Sequence, residues 1–118
     1  MSQNNKTQIE LINKMILSGQ AMDAFDRYYA DDVIMQENDQ PPTVGKSANR
    51  DRELTFFSSV TDFRGAQVLS VGEAGDKTYV EWFYDYTHKD WGVRRYHQMA
   101  VQTWKNGKIV HERFYYGA

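Results

Sequence analysis

With 118 residues, a net charge of −2 and no cysteine, the chain has room for one hydrophobic core and no means of disulfide or thiol chemistry. No basic run offers nucleic acid an electrostatic foothold, and no apolar stretch approaches the ~20 residues of a membrane span. The polar start, Met1-Ser2-Gln3-Asn4-Asn5, lacks the apolar centre of a signal peptide, so a cytoplasmic single domain over residues 1–118 is expected, with neither nucleic acid nor membrane as partner.

From about Lys6 to Leu17, the spacing of Ile9, Ile12 and Ile16 predicts an amphipathic helix, widened by Leu11 and Met15 and ended by Ser18-Gly19. A second short helix, about Gln20 to Tyr29, buries Met22, Phe25 and Tyr29. Ala30-Asp31-Asp32 then turns the chain into a strand, Val33–Glu37, whose alternation sends Val33, Met35 and Glu37 one way. Glu37 thus continues an apolar row. Asn38-Asp39-Gln40-Pro41-Pro42 reads as a loop, because its prolines cannot donate to a strand ladder. The third helix, about Lys46 to Ser59, has a thin apolar face of Ala48, Leu54, Phe57 and Phe56, and its run Arg50-Asp51-Arg52-Glu53 reads as a solvated face. A strand near Ala66–Glu73 follows.

The last third, Lys77 to Tyr116, predicts three long antiparallel strands. Asn106-Gly107 between alternating runs is a hairpin signal, since both residues tolerate positive φ. Counting back from Lys105 opposite Lys108 pairs Thr103 with Val110, Val101 with Glu112, Met99 with Phe114 and His97 with Tyr116 on one face. This is the more apolar set and is assigned to the interior; a one-residue slip or a bulge would invert it. A four-residue loop, Lys89-Asp90-Trp91-Gly92, places Tyr84 opposite His97 and gives an inward row of Val80, Trp82, Tyr84 and Tyr86. The outward row, Tyr79, Glu81, Phe83, Asp85 and Thr87, is too apolar for open water and predicts cover by a second subunit. Helices first and long strands after give an α+β architecture with the helices on one face of a curved antiparallel sheet.

This layout, together with Phe25-Asp26-Arg27-Tyr28-Tyr29-Ala30-Asp31-Asp32-Val33, the third helix led by Gly45, Thr87-His88 after the long strand, and Asn106-Gly107-Lys108-Ile109-Val110, resembles the SnoaL-like branch of the nuclear transport factor 2-like superfamily. The resemblance covers nearly the whole chain. It implies a cone-shaped half-barrel with three N-terminal helices on the concave face of the sheet, a pocket between them, and a homodimer through the convex face. The superfamily spans ketosteroid isomerases, polyketide cyclases, dehydratases, epoxide hydrolases and non-catalytic binding domains, so activity does not follow from it. In ketosteroid isomerases a general-base carboxylate follows the Ala-Asp-Asp turn, and the count from Ala30-Asp31-Asp32 places Glu37 there. The isomerase's oxyanion donors would fall at Ile12 and near Val101, and the aspartate that cyclases carry on the last strand would fall at Phe114. Neither mechanism is intact.

Three residues are candidates for proton chemistry. Glu37 on its apolar row would be desolvated, raising its pKa toward the range of a general acid or base; a salt bridge at the pocket rim is the structural alternative. Glu112 shares the inferred inner face, where it serves chemistry or pairs with an arginine of the third helix. His97, opposite Tyr84 and Tyr116, would relay protons or rest as a hydrogen-bonded core histidine. Trp82, Tyr84, Met99, Phe114 and Tyr116 form the candidate substrate-binding wall. The histidines lack ligand spacing, and no phosphate loop or nucleotide fingerprint is present, so neither metal nor cofactor is expected. The reading is a small-molecule enzyme performing cofactor-free isomerisation, cyclisation or dehydration of a mostly apolar cyclic compound, or else a non-catalytic ligand-binding or protein-association domain.

Overall fold

A computed structural model describes residues 4–117. Helix α1 spans Asn5–Leu17 and is capped by the Asn4 side chain, which accepts from the Thr7 backbone N–H. Helix α2 is Ala21–Tyr28, and strand β1, Tyr29–Glu37, starts immediately after it. A short β2, Thr43–Val44, leads through Gly45 into α3, Lys46–Ser59. Then come β3 (Val60–Ala74), β4 (Lys77–His88), β5 (Gly92–Lys105) and β6 (Lys108–Tyr116). The six strands form one curved sheet in the order β2-β1-β6-β5-β4-β3, with β1 parallel to β6 and the remaining neighbours antiparallel. This is the α+β half-barrel expected. No helix among the described residues is long and apolar enough to cross a membrane.

The helices bury their apolar stripes against the concave face. Ile9 and Ile12 of α1 and Phe25 of α2 pack with Val33, Val80, Trp82, Ala100, Trp104 and Ile109, all nearly inaccessible to water. Leu11, Leu54 and Phe57, read as apolar-face residues, lie exposed on the outer sides of their helices. Strand β3 starts at Val60, earlier than expected, because bulges let the segment around Asp62 and Gly65 stay paired with β4.

The Asn106-Gly107 bend closes as expected, with φ of 53° and 78°, and Lys105 faces Lys108. One pair later the count changes. Trp104 pairs with Ile109, but Thr103 pairs with His111, leaving Val110 as a bulge. At the other end of β5, His88 pairs with Gly92, so the loop holds three residues rather than four. Both offsets are one residue, and together they turn β5 over while β4, and β6 from Glu112 onward, keep their faces; Ile109 takes the inward place expected of Val110. Gln98, Ala100, Gln102 and Trp104 therefore point inward, opposite Trp82, Val80 and Thr78 on β4 and Tyr116, Phe114, Glu112 and Ile109 on β6. The expected inward row His97, Met99, Val101 and Thr103 lies on the convex side. Burial of Trp104 and Ala100, with satisfied hydrogen bonds for Gln102, outweighs the apolar character of Met99 and Val101.

Candidate functional site

The concave face holds a buried chain of hydrogen bonds with one direction. Trp104 Nε1 can only donate, and it gives its hydrogen to Thr78 Oγ1 at 2.9 Å. The Thr78 hydroxyl then donates to Gln102 Oε1 at 2.6 Å, which leaves the Gln102 amide to donate to Glu112 Oε2 at 2.7 Å. From the other side the Tyr29 hydroxyl donates to Glu112 Oε1 at 2.5 Å. Every donor in the chain leads to Glu112. Burial pushes its pKa up, and the hydrogen bonds from Gln102 and Tyr29 pull against that.

Glu53 of α3 faces this network. Asn49, Glu53 and Phe56 recur at helical spacing on the side of α3 turned to the sheet: Asn49 is buried, and Phe56 packs edge-on to Tyr86 with ring centroids 5.5 Å apart. The Asn49 amide holds this part of α3 to the loops below through the carbonyls of Val33 (3.3 Å), Thr43 (3.0 Å) and Gly45 (2.8 Å). Unlike Glu112, Glu53 has no hydrogen-bond donor within reach among the described residues. Desolvation first, then the negative charges of Glu112 and Glu37, raise its pKa to about 7, with Arg52 opposing.

Glu37, at the end of β1, stands between two partners. The Tyr116 hydroxyl donates a short hydrogen bond to Oε1, and Arg52 pairs with Oε2 at 3.1 Å. Both members of that ion pair are substantially exposed, so it adds little stability. A cavity of about 40 Å³ opens here, lined by Glu37, Glu53, Arg52, Asn49, Thr43 and Phe114, among others. It is large enough for a few water molecules and far below the ~300 Å³ at which ordinary ligand pockets begin. Elsewhere on the concave face, Tyr84 stacks on Trp82 at 5.2 Å, and its hydroxyl is kept protonated by burial and by the charges of Glu112 and Glu53.

Six of the eight residues singled out from sequence lie on the concave side: Glu37, Trp82, Tyr84, Glu112, Phe114 and Tyr116. The other two, His97 and Met99, do not. His97 pairs with Phe83, its ring 5.0 Å from that of Phe83 on the convex face, and Met99 is exposed there. The expected contacts of His97 with Tyr84 and Tyr116 are replaced by Tyr96, which stands opposite Tyr84 and 5.4 Å from the Tyr116 ring. Glu112 meets Tyr29 and Gln102 rather than an arginine of α3. Sequence reasoning passed over Glu53, whose signal was the stripe it shares with Asn49 and Phe56. Among the described residues no three His, Cys, Asp or Glu side chains are placed to hold a metal ion.

Comparison with solved structures places this geometry in a known fold. A SnoaL-like protein from Mesorhizobium loti superposes with a TM-score of 0.87 at 25% identity, covering 97% of this chain and 100% of that one. A SnoaL-like protein from Jannaschia sp. CCS1 gives a TM-score of 0.80 at 12% identity, over 98% of this chain and 90% of that one. An epoxide hydrolase from M. tuberculosis gives 0.75 at 15% identity, over 95% and 81%. Among curated proteins the sequence finds no significant match. Residues 7–117 match the sequence profile of the SnoaL-like polyketide cyclases, and the chain belongs to that family.

Proposed function

We propose that the protein is a cofactor-free enzyme that moves a proton on a small carbonyl compound, with Glu53 as the acid–base group. The observation that carries this reading is the Glu53 carboxylate: it lines the cavity, no donor among the described residues holds it, and its pKa of about 7 suits both accepting and returning a proton near neutrality. Glu112, already accepting hydrogen bonds from Tyr29 and Gln102 at its two oxygens, is not free to take the substrate's proton. Glu53 would take a hydrogen from the carbon beside the carbonyl while the Tyr84 hydroxyl donates to the carbonyl oxygen; the electron pair moves onto that oxygen, and the proton returns at a second carbon. Isomerisation, cyclisation and dehydration all begin with this step. Glu37, held by Tyr116 and Arg52, would steady the rim.

The test is α-hydrogen exchange. Small ketones such as cyclohexanone in deuterated buffer, followed by NMR, should exchange faster with protein than without it, with a rate rising through pH 7 and lost in Glu53→Gln. No exchange above background, or an unchanged rate in the variant, overturns the reading. The small size of the cavity favours one alternative, a non-catalytic protein-association domain of the same fold. That alternative predicts neither exchange nor thermal stabilisation by small ketones.

We further infer that the exposed apolar residues of the convex face, Val93, Met99 and Tyr115, are covered by a second copy of the chain.

A further inference from the structure

We propose that the β4–β5 end of the cone carries an anion-binding subsite, formed by Arg94 and the Tyr86–Tyr96 hydroxyl pair, that takes the carboxylate of a small planar monoacid. Arg94 stands opposite Tyr86 and two residues before Tyr96, so all three share the concave face. Its guanidinium carbon lies 5.2 Å from the centroid of the Tyr96 ring. Arg50, Arg52, Arg64, Arg95 and Arg113 each pair with a carboxylate, whereas Arg94 pairs with none among the described residues. Its Nε is shielded from solvent and has no acceptor.

The adjoining phenols show the same shortage. The Tyr86 and Tyr96 hydroxyl oxygens are 2.7 Å apart, so one hydrogen is spent between them and the other has no acceptor among the described residues. Tyr116 lies beside Tyr96 but gives its hydrogen to Glu37. This corner therefore holds spare donors and one positive charge with no carboxylate partner among the described residues. A partly desolvated guanidinium without a counter-ion is costly, and an anionic oxygen removes that cost. A carboxylate can accept from the guanidinium edge and from the free phenol hydrogen together. One cation matches one negative charge, and the rings of Tyr96 and Tyr116 suit a flat conjugated body. Glu37, beyond Tyr116, repels the acid end and leaves the uncharged end directed toward Glu53; this orientation rests on the proton-transfer reading, and the binding itself does not.

The experiment is titration of the full chain with benzoate, benzamide and inorganic phosphate, followed by calorimetry and by NMR of the tyrosine rings. Benzoate should bind at least tenfold more tightly than benzamide or phosphate and shift Tyr96 and Tyr116. Arg94→Met should weaken benzoate at least tenfold and leave benzamide unchanged. Arg94→Lys and Tyr96→Phe, which disturb the fold less, should each weaken benzoate severalfold. Absence of benzoate binding, equal affinity for benzamide, equal affinity for phosphate, or unchanged benzoate binding in the Arg94 variants would each overturn the subsite. Glu53→Gln should bind benzoate as the parent does, so loss of α-hydrogen exchange and loss of anion binding are separable results.

Discussion

The Tyr29 hydroxyl and Glu112 Oε1 meet at 2.5 Å, joining the first residue of β1 to β6 across 83 positions of sequence. Donation runs from Trp104 through Thr78 and Gln102, and Glu112 accepts at both oxygens. Glu112→Ala leaves the Tyr29 hydroxyl and the Gln102 amide buried without acceptors, which should cost about 3–5 kcal/mol. Glu112→Gln fits the space, yet brings an amide donor against one of two donors. It should still lose about 2 kcal/mol by urea denaturation. A cost below the error of that measurement in both variants would show that the chain contributes nothing to stability.

Glu53 should make the protein less stable as pH rises. Its carboxylate titrates at about 7 folded against an ordinary 4.5, so between those values the folded state holds more protons and stability falls with pH. At about 1.4 kcal/mol per pH unit, the loss above pH 7 is about 3 kcal/mol. Glu112, also raised, adds slope of the same sign, whereas His111, lowered by burial and by Lys77 and Arg113, adds the opposite sign near its ordinary 6.5. Glu53→Gln should therefore be more stable than the parent at pH 8 and close to it at pH 4.5, in urea melts at the two pH values. Parallel pH profiles for parent and variant would contradict this assignment.

The order of elements was legible because each carries a local signal: the isoleucine stripe of α1, the prolines of the β1–β2 loop, and Asn106-Gly107. The inward row of β4 was legible for the same reason, since Val80, Trp82 and Tyr86 are bulky at alternate positions and all three are buried. The face of β5 was not. Its two rows differ little in hydropathy, so its side depends on loop length and on one bulge, and neither Val110 nor Gly92 announces itself in sequence. His97 and Met99 moved to the convex face for that reason. Glu53 was hidden by its neighbours: Asp51 and Arg52 are exposed, and a charge run is ordinarily solvated. Only a stripe that admits polar residues, Asn49–Glu53–Phe56, finds it.

The same inversion gives the convex face its apolar content and its test. Met99 and Tyr115 are paired neighbours there, and Val93 lies further along β5. A charge at the centre of such a patch should be tolerated by the fold and rejected by a partner. The parent chain should sediment at twice its monomer mass at micromolar concentration, and Met99→Lys should sediment as a monomer with an unchanged circular dichroism spectrum. A monomeric parent, or a variant that stays dimeric, excludes this face as the interface.

Asn49 offers the clearest separation of shape from hydrogen-bond polarity. Its side chain is 2% exposed, and its Nδ2 approaches three backbone carbonyls at once, fastening α3 to the end of β1 and to β2. Asn49→Ala removes those bonds but leaves the carbonyls to tilt or recruit water, at a cost of about 2 kcal/mol. Asn49→Asp keeps the size and places carboxylate oxygens against the three carbonyls. It must therefore bind a proton or push α3 away. Asn49→Asp should be the less stable of the two at pH 8 and recover toward pH 4, where the acid can donate a single hydrogen. Because Glu53 lies one helical turn further on, displacement of α3 should also expose its carboxylate and return its titration, read by carbon-13 NMR, toward the ordinary 4.5. Equal stability of the two variants across that pH range would mean that the amide is not what anchors α3.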